Sequence, residues 1–184
     1  MSEAVTPFEG AVYDGYVRVE DAGLCGMISL RGDLSDAKVK KACKDASGQA
    51  MPKPRLIAGD LNGGIGWMSP DEALVLVPYA EAPAAAARME IALKSVHGLV
   101  VEVSDARAVF TLRGEKVREV LAKVTPADVA SLPVGELRRT RVAQVAGALW
   151  LSDETTAYLI CFRSVATYMF ELLSRSAMPG SEVR

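Results

Sequence analysis

Residues 65–68 (Ile-Gly-Trp-Met) and 73–77 (Ala-Leu-Val-Leu-Val) are apolar runs joined by Ser69-Pro70-Asp71-Glu72. Proline takes the second position of that link, where a turn wants its fixed φ, so the pair reads as a β-hairpin. Links this short recur along the chain and argue for antiparallel pairing over an alternating parallel sheet. Further strands are expected at 25–31, 55–58, 138–146, 148–151 and 156–162, the last three separated by Gly147 and by Ser152-Asp153-Glu154. Residues 101–114, VEVSDARAVFTLRG, set two more apolar runs around Ser-Asp-Ala-Arg and read as another tight antiparallel pair.

Helical spacing appears between the strands. Val117, Val120, Leu121 and Val124 fall at i, i+3, i+4 and i+7, with Glu119 four residues before Lys123. Val39, Ala42, Cys43 and Ala46 mark a helix over 34–46 with Asp33 as its cap. Pro83 opens another, with a stripe of Met89, Ala92, Leu93 and Val96; Ser164 is expected to cap a last one, turning Val165, Met169, Leu172 and Leu173 inward. Thr125-Pro126-Ala127-Asp128 reads as a short turn, and 51–66, MPKPRLIAGDLNGGIG, as a mostly irregular, flexible stretch. The fold class is α+β, mostly antiparallel with helices on one side, in two similar halves each close to strand-helix-strand-strand-helix-strand. Residues 1–20 are expected to be an N-terminal extension, 21–176 a single domain and 177–184 a frayed tail.

Composition narrows the function. A chain of 184 residues, half of them hydrophobic, can bury a real core. Its mean hydropathy of +0.17 is apolar for a free-standing soluble protein, which points to a partner-covered surface. A formal net charge of −2 argues against a general nucleic-acid surface. No apolar run reaches membrane-spanning length and no basic-then-apolar leader opens the sequence, so no membrane partner and a cytoplasmic location are expected. Cys25, Cys43 and Cys161 are odd in number and widely spaced, and read as reduced core thiols; with one histidine, His97, and no Cys-x-x-Cys, the usual zinc ligands are missing. Gly59, Gly63, Gly64 and Gly66 lack the strand-to-helix framework of a dinucleotide fingerprint, and no phosphate-binding Gly-Lys-Ser/Thr loop occurs. Arg139 and Arg141 share one strand face, as a solvated edge or as a contact for an acidic partner.

Several segments resemble the gamma subunit of heterotetrameric sarcosine oxidase. They are Gly66-Trp67-Met68-Ser69-Pro70-Asp71-Glu72; residues 101–109 with Gly114 and the Val120-Leu121-Ala122-Lys123 helix end; Pro133-Val134-Gly135 with residues 139–145; and Cys161-Phe162-Arg163-Ser164-Val165-Ala166. Where that family commonly has Cys-Pro-Leu-Asp, this chain has Thr125-Pro126-Ala127-Asp128, so no role of that cysteine carries over. The resemblance implies a folate-binding, aminomethyltransferase-like fold of two interlocked ferredoxin-like halves. It also implies alpha, beta and delta partner subunits in a complex that demethylates sarcosine oxidatively to glycine and hydrogen peroxide. There FAD, FMN and NAD sit in the alpha and beta subunits and zinc in the delta subunit, and tetrahydrofolate accepts the one-carbon unit. No cofactor is expected in this chain, and alone it should be inactive. The alternatives are a free-standing folate-binding transferase or repair protein of the same fold, although the Lys-Gly-Cys-Tyr/Phe-x-Gly-Gln-Glu motif of its iron-sulfur members is missing, and an unrelated homodimeric scaffold.

Candidate residues are accordingly partner or anion contacts, with no catalytic, cofactor-binding or metal-binding residue among them. Asp105 and Arg107 read as turn formers, because an Asx-turn needs no chemistry and no second carboxylate or histidine stands at a telling spacing. Arg163, where a strand passes into a helix, is a candidate for an ion pair or an anion contact. Trp67 and Trp150, on strands beside polar turns, are candidate core or interface anchors.

Overall fold

Alternating apolar residues and helical stripes build the following elements in a computed structural model that describes residues 4–8 and 10–183. In chain order they are β1 (Val12–Asp14), β2 (Arg18–Asp21), β3 (Gly26–Gly32), α1 (Ala37–Ser47), β4 (Ile57–Asp60), β5 (Gly63–Ser69), β6 (Glu72–Val77) and α2 (Ala82–Ala92). β7 (Gly98–Glu102), β8 (Arg107–Arg113), α3 (Val117–Val124), β9 (Arg138–Val142), β10 (Val145–Leu151), β11 (Thr156–Phe162) and α4 (Ala166–Ser176) follow. The chain divides into two units, one of residues 25–104 and one of residues 1–24 with 105–184. Every strand pairing between described residues is antiparallel. None of the helices among the described residues is long and apolar enough to cross a membrane.

Residues 25–104 form a five-stranded sheet in the order β4-β5-β6-β3-β7. The Pro-Asp link is the expected hairpin, with Ile65 opposite Val75 and Gly66 opposite Leu74. Ile28, Leu30, Ile65, Val75, Val77 and Val100 pack on one sheet face against Val39, Ala42 and Cys43 of α1 and Ala82, Ala85 and Met89 of α2. Leu74 and Leu76 on the other face of β6 are buried as well, so this strand reads as a continuous apolar run. Glu72 is buried with its charge matched: Arg31 Nη2 donates to it at 2.9 Å and Ser29 Oγ at 3.2 Å.

The second unit has a six-stranded sheet in the order β1-β2-β8-β11-β10-β9. Phe110, Leu112, Leu149, Leu151, Ala157 and Leu159 meet Val117, Val120, Leu121 and Val124 of α3 and Ala166, Met169 and Leu173 of α4. Setting aside the edge strands β1, β4 and β9, the two units share one ferredoxin-like topology. β3-α1-β5-β6-α2-β7 corresponds to β8-α3-β10-β11-α4 with β2 in the fourth-strand place. That strand comes from the stretch expected to precede the domain: Arg18 lies opposite Arg113 and Asp21 opposite Phe110, and Val17 and Val19 are fully buried. The expected frayed tail is tied in too, since Ala177 is buried and its carbonyl accepts the Tyr16 N–H at 3.0 Å.

Four local expectations change. β7 and β8 are not a hairpin, because β7 pairs with β3 and β8 with β2 and β11; a single 3-10 turn, Ser104–Ala106, redirects the chain between sheets. Period-2 alternation marks a strand without naming its neighbour. The break between β9 and β10 falls at Ala143-Gln144, where Ala143 has φ 49°, while Gly147 lies inside β10 opposite Cys161. A Cβ there would stand 3.0 Å from the Ile160 carbonyl oxygen, so the glycine permits close strand approach and makes no turn. Asp33 does not cap α1; its carboxylate closes a turn with Ser35 N–H and Oγ, at 2.8 and 2.6 Å. The cap is Asp36, which accepts from Lys38 N–H at 2.7 Å and Val39 N–H at 3.2 Å. Ser164 sits in a 3-10 turn, Arg163–Val165, that leads into α4 without a side-chain cap bond.

Asp36→Ala therefore strips two helix amides of their acceptor and is expected to cost about 1 kcal/mol in urea unfolding.

Candidate functional site

The residues selected from sequence fall into three settings. Trp150 is a core anchor, 3% exposed, and stacks on Tyr158 directly across the strand pair with ring centroids 5.1 Å apart. Trp67 is half-buried against the core of residues 25–104, beside a bulge between Trp67 and Ser69. Asp105 is exposed in the turn that leaves β7, and Arg107 begins β8 opposite Phe162. Ser104, two residues after Glu102, anchors that turn: its Oγ accepts Met27 N–H at 2.9 Å, and Glu102 Oε1 accepts its N–H at 2.8 Å. Arg163 donates to the Val5 carbonyl at 2.7 Å, a bond that ties down the N-terminal segment. The structure brings Arg107 beside the end of β11 and leaves the tryptophans on separate strands.

A polar cluster that sequence reasoning missed lies around Lys123. Its Nζ donates to Tyr16 Oη at 2.7 Å and to the Ser176 carbonyl at 3.0 Å, and stands 3.5 Å from Glu119 Oε1. Glu119 also accepts Tyr16 Oη–H at 3.1 Å and Val183 N–H at 2.8 Å. Burial alone would lower the Lys123 pKa, but the Tyr16 hydroxyl and the Glu119 charge outweigh it and hold the ammonium above its ordinary range. The Glu119 carboxyl is held below its ordinary 4.5, first by the Val183 amide and then by Tyr16, Lys116 and Lys123. The Glu119–Lys123 spacing was legible as a helical pair; Tyr16, more than a hundred residues away, left no such signal. The cluster clasps α3, the N-terminal segment and the tail together, and has the parts of a structural tie.

Neither the thiols nor the glycines fit a cofactor. Burial pushes Cys25, Cys43 and Cys161 each up to about 12, so they stay protonated and unreactive. No group of three or more His, Cys, Asp or Glu among the described residues could hold a metal ion. The glycine-rich stretch, expected to be flexible, is a hairpin of β4 and β5 in which Asp60 faces Gly63 and Gly59 faces Gly64. A Cβ on Gly64 would meet the Asp60 carbonyl oxygen at 2.4 Å. These glycines let two strands close, so they offer no cradle to the phosphates of a flavin or NAD.

The doubled ferredoxin-like topology defines the class, an aminomethyltransferase-like fold. Glycine cleavage system aminomethyltransferase T from Bartonella henselae shares it at a TM-score of 0.61 and 16% identity, over 83% of this chain and 44% of that one. A chain of heterotetrameric sarcosine oxidase from Corynebacterium sp. U-96, solved with pyrrole 2-carboxylate, matches at a TM-score of 0.81 and 24% identity, over 94% of this chain and 90% of that one. Residues 31–178 match the model of the sarcosine oxidase, gamma subunit family, and the chain belongs to that family. Sarcosine oxidase subunit gamma of Corynebacterium sp. (strain U-96) is 34% identical over 101 residues, 53% of this chain. That match spans about half the length of the relative, 48%.

Two outcomes follow from this geometry. Gly64→Ala is expected to lose at least about 2 kcal/mol of stability in chemical unfolding, because the obstructing atom is backbone and cannot rotate away; a flexible loop would tolerate the change. The Glu119 contribution is present above its ordinary pKa and is lost as pH falls through the depressed one. The Val183 amide signal in NMR should therefore titrate with a midpoint below 4.5, and Glu119→Gln should abolish that titration.

Proposed function

We propose that this chain is an accessory, non-catalytic subunit of a heterotetrameric sarcosine oxidase, which assembles with alpha, beta and delta chains. The family match over residues 31–178 carries the reading. The protonated thiols and the strand-pairing role of the glycines support it, since neither suits redox or phosphate chemistry. In this reading FAD, FMN, NAD and zinc belong to the other chains, where the flavins supply the oxidation of the sarcosine N-methyl group and tetrahydrofolate takes up the one-carbon unit. This polypeptide contributes a shaped, apolar body to the assembly and transfers no electrons or protons to substrate.

Co-expression with the alpha, beta and delta chains should give a complex that retains this chain through affinity and size-exclusion steps. Its failure to co-purify would overturn the proposal. Purified alone, the chain should be colourless and inactive toward sarcosine. Tight calorimetric binding of tetrahydrofolate by the isolated chain would instead favour a free-standing folate-dependent transferase.

A further inference from the structure

One end of the six-stranded sheet carries a basic and aromatic row that the proposed function leaves unassigned. Arg107 on β8 lies opposite Phe162 on β11, and Arg141 on β9 lies opposite Ala146 on β10. β10 and β11 pair out to Gly147 and Cys161, so Ala146 and Phe162 are the next residues on that ladder. Ala108, Cys161 and Val142, the sequence neighbours of Arg107, Phe162 and Arg141, belong to the core under α3 and α4. By the alternation of strands, Arg107, Phe162, Ala146 and Arg141 therefore share the face opposite α3 and α4. One row further in, Arg139 joins them opposite Ala148.

Exposure is graded along this face. Trp150 and Ile160 are 3% and 2% exposed, whereas Phe162 is 53% exposed and Arg139, Arg141 and Ala146 are exposed. A large aromatic ring open to water between guanidinium groups is costly to leave uncovered, and arginine with an aromatic is the pairing enriched in energetic centres of interfaces. The row is also cationic within a chain of formal net charge −2. Asp105, two residues before Arg107, is the acidic group adjoining it in sequence. The arginines stand on β8 and β9 with β11 and β10 between them, so the row is spread over four strands, which would bury little of a small molecule but can receive a polypeptide.

We propose that this face, Arg107, Arg139, Arg141, Ala146 and Phe162, is a docking surface for an acidic segment of a partner subunit, with carboxylates meeting the guanidinium groups and an apolar side chain covering Phe162. The proposal rests on the accessory-subunit reading above and adds where, and to what chemistry, the partner binds. Its electrostatic part is exposed, so salt should weaken it.

The test is co-expression of the full chain with the alpha, beta and delta chains, comparing wild type with the double variant Arg139→Glu/Arg141→Glu and with Phe162→Ser. Each variant is expected to reduce recovery of this chain in the complex at least tenfold, while Arg139→Lys/Arg141→Lys retains most of it. Thermal unfolding of each isolated variant at the wild-type temperature shows that the fold is intact. Should a variant fail to fold, the wild-type complex is read alone: its dissociation constant should rise at least tenfold between 0.05 and 0.5 M NaCl, and a salt-independent constant would overturn the surface. Recovery of the folded charge-reversal variant at wild-type level would also overturn it while leaving the accessory-subunit reading standing. Failure of the wild-type chain to co-purify would remove both. Saturable binding of benzoate to the isolated chain, lost in the variants while the complex still forms, would reassign the row to a small anion and overturn the protein docking surface.

Discussion

The ladder between β2 and β8 is the constraint on which the second unit depends. Without it β8 would be an open edge, and Val17 and Val19, both fully buried, would lose the core formed with Phe110 and Leu112. An unpaired apolar edge invites association with other chains, and this sheet avoids it by recruiting residues far upstream. The rest of the local architecture follows from the same recruitment. Tyr16, just ahead of β2, reaches the Ser176 carbonyl, Glu119 and Lys123, so one strand pairing locates α3, the end of α4 and the tail together.

Much of this was legible in the residues, and the limits have physical causes. The α3 stripe Val117, Val120, Leu121 and Val124 is the buried face of that helix, because periodicity and burial are the same fact read in two ways. The Pro-Asp hairpin was equally plain, since the turn chemistry is local. Strand partners were not legible: VEVSDARAVFTLRG has the alternation of a hairpin, yet its two runs belong to different sheets, which depends on contacts with β3 and β11 remote in sequence. Asp33 and Asp36 are both plausible caps by residue type, and only the backbone course distinguishes the acid closing a preceding turn from the acid accepting the helix amides. The glycine-rich stretch misled for the same reason, because glycine signals either freedom or close approach, and the Gly64 environment shows the second.

For the candidate site the legible part was the arginines and the absence of cofactor motifs, and the illegible part was exposure. Phe162 reads as one more apolar residue at the end of a strand; that its ring is open to water beside Arg107 emerges only once the sheet is assembled. Membership of the sarcosine oxidase gamma subunit family agrees with a chain whose polar networks, at Lys123 and at Glu72, hold the fold together.

The upstream origin of β2 also orders events during synthesis. Residues 25–104 are contiguous, so all their ladders can close as soon as β7 leaves the ribosome. β1 and β2 are made before that unit but must wait for residues 107–113, an interval of seconds at about 5–20 residues per second. During that interval the nascent chain holds one finished body flanked by an unsatisfied leading strand. β2 thus precedes the contiguous unit yet pairs only after it, and Val17 and Val19 stay open to misassociation through that interval.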